Sequence, residues 1–209
     1  MRPVDYGRIL PATLLVVCSA VCALVAEITP MTRERFAEAL EAGGKTDGDD
    51  LIIYKDVCRT RSGPGAQAFD VVISTPFGLV ADTVFESRKR GEPFDPAGTS
   101  VAPPGKQSVI VSVDPVYLFG KEHTGAPPLG VRSVILRRGM QLTEPLRADT
   151  HDVRFPDLGQ AYRGGAFYFP LETFSSAKGD LEIVVIPEKE TTGVEAVLVL
   201  KKAALAKMR

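Results

Sequence analysis

Hydrophobic positions fall into three textures along this chain. Residues 9–26 form an almost unbroken apolar run, interrupted only by Pro11, Thr13 and Ser19. Residues 32–42 carry a helical pattern, with Thr32 as N-cap and Phe36, Ala39 and Leu40 as a narrow apolar stripe. Gly43-Gly44 then read as its C-cap. From residue 51 onward the apolar positions come in short β-branched or aromatic runs separated by Gly, Pro and Asp.

Those runs predict strands at 51–57 (LIIYKDV), 69–74 (FDVVIS), 107–113 (QSVIVSV), 116–119, 131–137 (VRSVILR), 166–169 (AFYF), 181–186 (LEIVVI) and 194–200 (VEAVLVL). Gly164-Gly165 and Gly179-Asp180 are taken as separators, and Arg163-Gly164-Gly165 as a turn into the strand that follows. Residues 75–90 read as helix, with Thr75 as cap, Pro76 at the first helical position and Gly91 after a basic last turn. A strand at 80–85 is the alternative. The Pro-rich stretch 91–106 reads as a long surface loop, and 203–209 as a closing helical turn. Few connections leave room for a crossover helix, which disfavours parallel βαβ units. The expected fold is mainly β, an antiparallel β-sandwich with one or two short N-terminal helices, with α+β as the alternative.

The first run decides the expected compartment. Arg2 and Arg8 precede it, and small-residue cleavage sites end at Ala23 and Ala26. That is the layout of an export leader. The run is also close to the minimum of about 17 residues for a membrane span, so an uncleaved anchor is the competing reading. By the positive-inside rule both place the remainder outside the cytoplasm. Valine precedes Cys18 and Cys22, which argues against a lipid attachment site. The domain expectation is a signal peptide or signal anchor at 1–26, a short helix and linker at 27–50, and a single β-rich domain at 51–209.

Composition narrows the function. Twenty-five basic and 26 acidic residues leave a formal charge of −1, so no nucleic-acid partner is expected. The chain has no Asn and hence no N-glycosylation acceptor. It has no Trp, which weakens a carbohydrate-binding reading. Beyond the leader Cys58 is the sole cysteine, so no intrachain disulfide forms after cleavage.

Candidate chemistry is sparse. Asp149 and His151 are spaced to share one side of a strand, as an acid–base or metal edge would be. Glu122 and His123 lie in a Gly/Pro loop. Cys58 with His151 would make a nucleophile–base pair if the fold joined them, with Arg59 and Arg61 available to lower the thiol pKa. There is no Gly-x-Ser-x-Gly, no phosphate loop and no zinc-type ligand spacing, so no metal or cofactor is expected. Tyr162, Phe167, Tyr168, Phe169 and Phe174 form the densest aromatic cluster. Period two sends Phe167 and Phe169 to a core, and leaves Tyr168, with Tyr162, as candidate binding residues.

The resulting expectation is an exported, non-enzymatic β-sandwich that binds a protein partner or cell-envelope component. The alternatives are an exported hydrolase with a site around Asp149 and His151, and a membrane-anchored structural subunit.

Overall fold

The computed structural model describes residues 28, 30–45, 53–60, 67–94, 107–117, 127–188 and 195–208. The leader, Arg61, Glu122, His123 and most of the 91–106 loop lie outside these residues. The described elements, in chain order, are α1 (Arg33–Lys45), β1 (Ile53–Arg59), β2 (Ala68–Ser74), α2 (Pro76–Arg90), β3 (Ser108–Val116), β4 (Val131–Arg138), β5 (Gln141–Thr143), β6 (Arg147–Phe155), β7 (Gln160–Pro170), β8 (Leu181–Pro187), β9 (Ala196–Leu200) and α3 (Lys202–Leu205).

The strands form two antiparallel sheets. Sheet A has the order β1-β2-β3-β7-β6 and sheet B the order β5-β4-β8-β9. Strict alternation builds the core. Along β3 every second residue is buried, so Val109, Val111 and Val113 face inward. They meet Phe69, Val71 and Ile73 of β2, Phe167 and Phe169 of β7, and Val134, Leu136, Ile183, Val185, Leu198 and Leu200 of sheet B in one apolar cluster. The chain is therefore a mainly β protein with two antiparallel sheets stacked on a shared core. A bridge between Thr60 and Ala196 brings β1 beside β9. The opposite margins, β6 and β5, are successive in the chain and form the two free edge strands of that side.

Helix α2 forms as its end signals require. The Thr75 hydroxyl accepts from the Gly78 N–H at 3.0 Å, and Pro76 fills the first position. Gly91 takes a left-handed φ of 70° and donates to the Arg88 carbonyl, while Glu92 N–H donates to Ser87. Helix α1 begins at Thr32, whose hydroxyl accepts from the Arg35 N–H at 3.2 Å. It packs on α2 through Ala39, Val80 and Ala81. The residue before it is held by Gln107, whose side-chain amide accepts from the Met31 N–H and donates to the Met31 carbonyl at 3.1 Å.

Three expectations are corrected. Gly43 and Gly44 do not cap α1 but lie inside it. A Cβ on Gly43 would run into the Ala81 carbonyl oxygen and come within 2.7 Å of Val84 Cβ, so this glycine permits close approach of α1 to α2. Gly164 and Gly165 are not separators, since β7 runs straight through both. A nine-residue stretch of polar chain, RADTHDVRF, forms β6, which apolar patterning did not mark as a strand. It is an edge strand with most residues exposed, so no apolar alternation was needed to place it. β3 also extends to Val116, absorbing the start of the strand expected at 116–119.

Both sheets share one end, termed here the entry end. β3 starts there opposite the close of β7, and β6 starts beside Tyr168. β4 closes and β8 opens there, because Arg138 donates to the carbonyls of Thr173, Ser175 and Gly179 in the loop from β7 to β8, at 3.0, 3.2 and 2.9 Å. Ile28 and Pro30 lie at this same end, beside Gln107 and Leu171.

The two glycines of α1 should behave oppositely on substitution. Gly43→Ala should lower stability by about 1–3 kcal/mol through overpacking against a backbone carbonyl. Gly44→Ala, with open space around its Cβ position, should be neutral or stabilising by up to about 1 kcal/mol. Urea denaturation of the two variants measures the contrast.

Candidate functional site

Antiparallel register decides which of the candidate residues meet. On the outer face of sheet A one row runs Val57, Asp70, Asp114, Gly164 and His151 across β1, β2, β3, β7 and β6; the pairs Val57–Asp70, Asp70–Asp114 and His151–Gly164 are in register, and Asp114 follows the Val113–Gly165 pair. Gly164 leaves a gap in this row. His151 Nε2 and Asp114 Oδ1 close over it at 2.7 Å. A Cβ on Gly164 would strike Asp114 Oδ1 and lie 2.9 Å from His151 Nε2. The histidine's carboxylate partner is thus Asp114, which sequence spacing did not suggest. Both side chains are about half exposed, at 50% and 43%.

Asp149 does share the outer side of β6 with His151, as the spacing implied. It is engaged elsewhere. Arg147 grips it with two hydrogen bonds of 2.8 and 2.5 Å. The hydrogen bond from Arg147 holds the Asp149 carboxyl below its ordinary pKa, and one from Tyr168 acts in the same direction. Arg147 also lies over the Tyr168 ring, 5.1 Å from its centroid. Tyr168 therefore stands on the outer face in a compact polar set, while Phe167 and Phe169 are buried in the core.

Tyr162 belongs to another cluster. Its ring packs edge-on against Phe155 at 5.6 Å, and Phe155 in turn meets Tyr117 at 6.1 Å. The Tyr162 hydroxyl is buried and has no hydrogen-bond partner among the described residues. These rings lie at the far end of the sandwich from the entry end, where β6 closes and β7 opens.

Cys58 and His151 are not brought together. Cys58 sits on edge strand β1 and packs in the core, whereas His151 is on the outer face of the opposite edge strand. Burial, followed by the charge of Asp56, pushes the thiol pKa up to about 12. The expectation that neighbouring arginines would activate it is therefore reversed. A nucleophilic cysteine needs its thiolate at neutral pH, and this site withholds it. Among the described residues no group of three or more His, Cys, Asp or Glu is arranged to hold a metal.

Two further surfaces were missed by inspection of the sequence. The first is the outer face of sheet B. In register across β4, β8 and β9 lie Ile135, Val184 and Val197, flanked by Ile186 and Val199. Val184 is buried without belonging to the inner core. Arg137 crosses this row diagonally, from Glu182 at 2.6 Å to Glu195 at 3.2 Å. Among the described elements the helices pack chiefly on one another, on β2 and on the loop between β7 and β8. The second surface is at the entry end, where Met140, Leu142 and Leu146 are exposed by 102%, 62% and 68%. An open groove of about 390 Å³ lies at the same end, between Ile28, Pro30 and Gln107 on one side and Leu171, Glu172 and Lys178 on the other.

No protein-family model matches the chain, and no curated protein or solved structure matches it significantly.

The buried Cys58 thiol should resist alkylation by iodoacetamide at pH 8 in the folded protein with Cys18 and Cys22 replaced by Ala. It should react within minutes once the protein is unfolded in urea. Mass spectrometry of the alkylated peptide distinguishes the two.

Proposed function

We propose that this chain is an exported β-sandwich domain that acts by binding a protein partner, with the outer face of sheet B as its contact surface. The supporting observation is the register-aligned row of Ile135, Val184 and Val197 on the side of that sheet away from the core, where Ile135 and Val197 are partly exposed and Val184 is buried. An antiparallel sheet with one face in water alternates apolar and polar residues. β8 (LEIVVIP) and β9 (AVLVL) do not alternate. Their outward side chains add nothing to the inner core, so their apolar character fits a surface that a partner covers. The Arg137–Glu182–Glu195 ion pairs laid across the row keep it soluble while unoccupied and offer polar contacts at the rim of an interface. Export rests on the basic start and apolar run of the first 26 residues.

A photo-crosslinking residue placed at Val197 should capture a discrete partner in living cells, and the same residue at Ala148, exposed on edge strand β6, should not. Equal capture at both positions, or capture at 148 alone, would remove sheet B from the reading. Val197→Glu should abolish the crosslinked product formed from a second probe at Val199 while leaving the thermal transition in place.

A second reading, an exported hydrolase, is favoured by the 2.7 Å contact of His151 with Asp114. A carboxylate that orients an imidazole is one half of a general-base device. In that case His151→Ala should abolish hydrolysis of generic ester and peptide substrates by the purified protein. Retention of any activity found would exclude the dyad from the chemistry.

A further inference from the structure

We infer that the entry end of the sandwich rests on the surface of an anionic lipid bilayer, with Met140 and Leu146 entering the headgroup region. This rests on the reading that residues 9–26 bring the chain to a membrane, and goes beyond the partner-binding face, which lies on the side of sheet B.

Three independent features meet at this end. The first is the point at which the described chain begins. Ile28 and Pro30 lie against Leu171 and Gln107, and the Gln107 amide clamps Met31 from both its donor and acceptor sides. The apolar run ends at Ala26. A segment held in or against a bilayer would therefore leave the membrane within a few residues of this end of the sandwich, because two residues of extended chain span at most about 7 Å.

The second feature is the exposed apolar set. Met140 sits in the turn between β4 and β5, beside Gly139 with a φ of 59°. Leu146 opens β6, where its N–H donates to the Tyr168 carbonyl at 2.7 Å. Leu142 follows on β5, opposite Arg137. Together with Val57 these three are the large apolar side chains most exposed among the described residues, and all three lie in one seven-residue stretch. Large apolar residues projecting from a turn and an adjoining strand end contribute to membrane affinity by burial among acyl chains.

The third is charge. Lys201 and Lys202 follow β9 at the entry end, and Lys207 follows α3, which packs on the loop bearing Lys178. Arg33 begins α1 beside the clamped Met31. Lys178, Lys201, Lys202, Lys207 and Arg33 are all exposed. Asp180, bonded to Lys201 and to the Lys202 N–H, and Glu172 are the nearby carboxylates of the same loop. Glu144, inside the 140–146 stretch, and Glu34, next to Arg33, are exposed as well. The five cations outnumber these four carboxylates, and the four lysines gather at the β9 and α3 margin of the entry end, across sheet B from β5. A cationic margin on the same end as an apolar tip matches a surface of anionic headgroups. No described helix is long and apolar enough to cross a membrane; the inferred contact is made by loops and strand ends.

The test uses the full chain in vesicles of mixed phosphatidylcholine and phosphatidylglycerol, with Cys18 and Cys22 replaced by Ala. Cys58 is buried and does not take the label. Single cysteines at Met140, Leu146 and, at the far end, Asp157 each carry an environment-sensitive fluorophore. The expected result is a blue shift and quenching by nitroxide-bearing lipid at 140 and 146, with neither at 157, and weaker quenching when Lys201 and Lys202 are both changed to Glu. A chain that co-floats with vesicles while all three labels stay water-exposed overturns the docking and leaves the anchor reading standing. A chain that does not associate with vesicles overturns both. A blue shift at 140 and 146 that appears without lipid and grows with protein concentration identifies a second copy of the chain as the occupant, and equal quenching at 157 shows contact without orientation; either result overturns the proposal.

Discussion

Everything in this molecule hangs on the shared register of β2, β3 and β7. Ile73, Val111 and Phe167 stand in one inward row, with Val109–Phe169 and Val71–Val113–Gly165 on either side. All of these residues are buried. Burying each large apolar side chain contributes about 1.5–3 kcal/mol, and a slip of one residue would turn the whole set to solvent. The same register fixes the outer face without further cost. Once Val113 opposes Gly165, Asp114 must look toward Gly164, and His151 on the next strand must lie across the gap. The polar pair is a consequence of apolar packing on the other side of the sheet.

The two sheets differ in what they show to solvent. The outer face of sheet A carries Asp70 beside Asp114, the Asp114–His151 contact and the Arg147–Asp149–Tyr168 set. Pairs this exposed contribute little to stability, and they blunt an edge strand against unwanted pairing. The outer face of sheet B carries Ile135, Val184, Val197 and Val199 under a single arginine. Apolar residues therefore lie on both faces of β8 and β9. The entry end, with its exposed Met140 and Leu146, faces a different direction. A domain resting on a bilayer by that end would present sheet B parallel to the membrane normal and open to a neighbour in the same layer.

Much of this was legible from residue order. The alternation in 107–113 specified β3, and the Thr75-Pro76 start with Gly91 beyond the last basic turn specified α2 within a residue. The period-two split of Phe167 and Phe169 from Tyr168 was also readable, because it depends on neighbours one or two positions away. The polar strand β6 was not readable as a strand, since an edge strand exposed over most of its length carries no apolar period. The Gly-Gly pair in β7 was misread for a related reason. Glycine marks a turn in local terms, whereas here it makes room for Asp114 and His151, which arrive from other strands.

The sequence by itself determined the β-rich class and the alternation that sorts inside from outside. Only the tertiary structure decided that His151 pairs with Asp114, 37 positions away, rather than with Asp149 two positions away. Only the structure set Val184 between Ile135 and Val197 on an outer face, and gathered the start of the described chain, the 140–146 segment and the C-terminal lysines at one end. The physical reason is the same in each case. Helix caps and strand period arise from bonds among near neighbours, while lateral neighbours in a sheet are chosen by strand order and register, which leave no local mark on the residues they join.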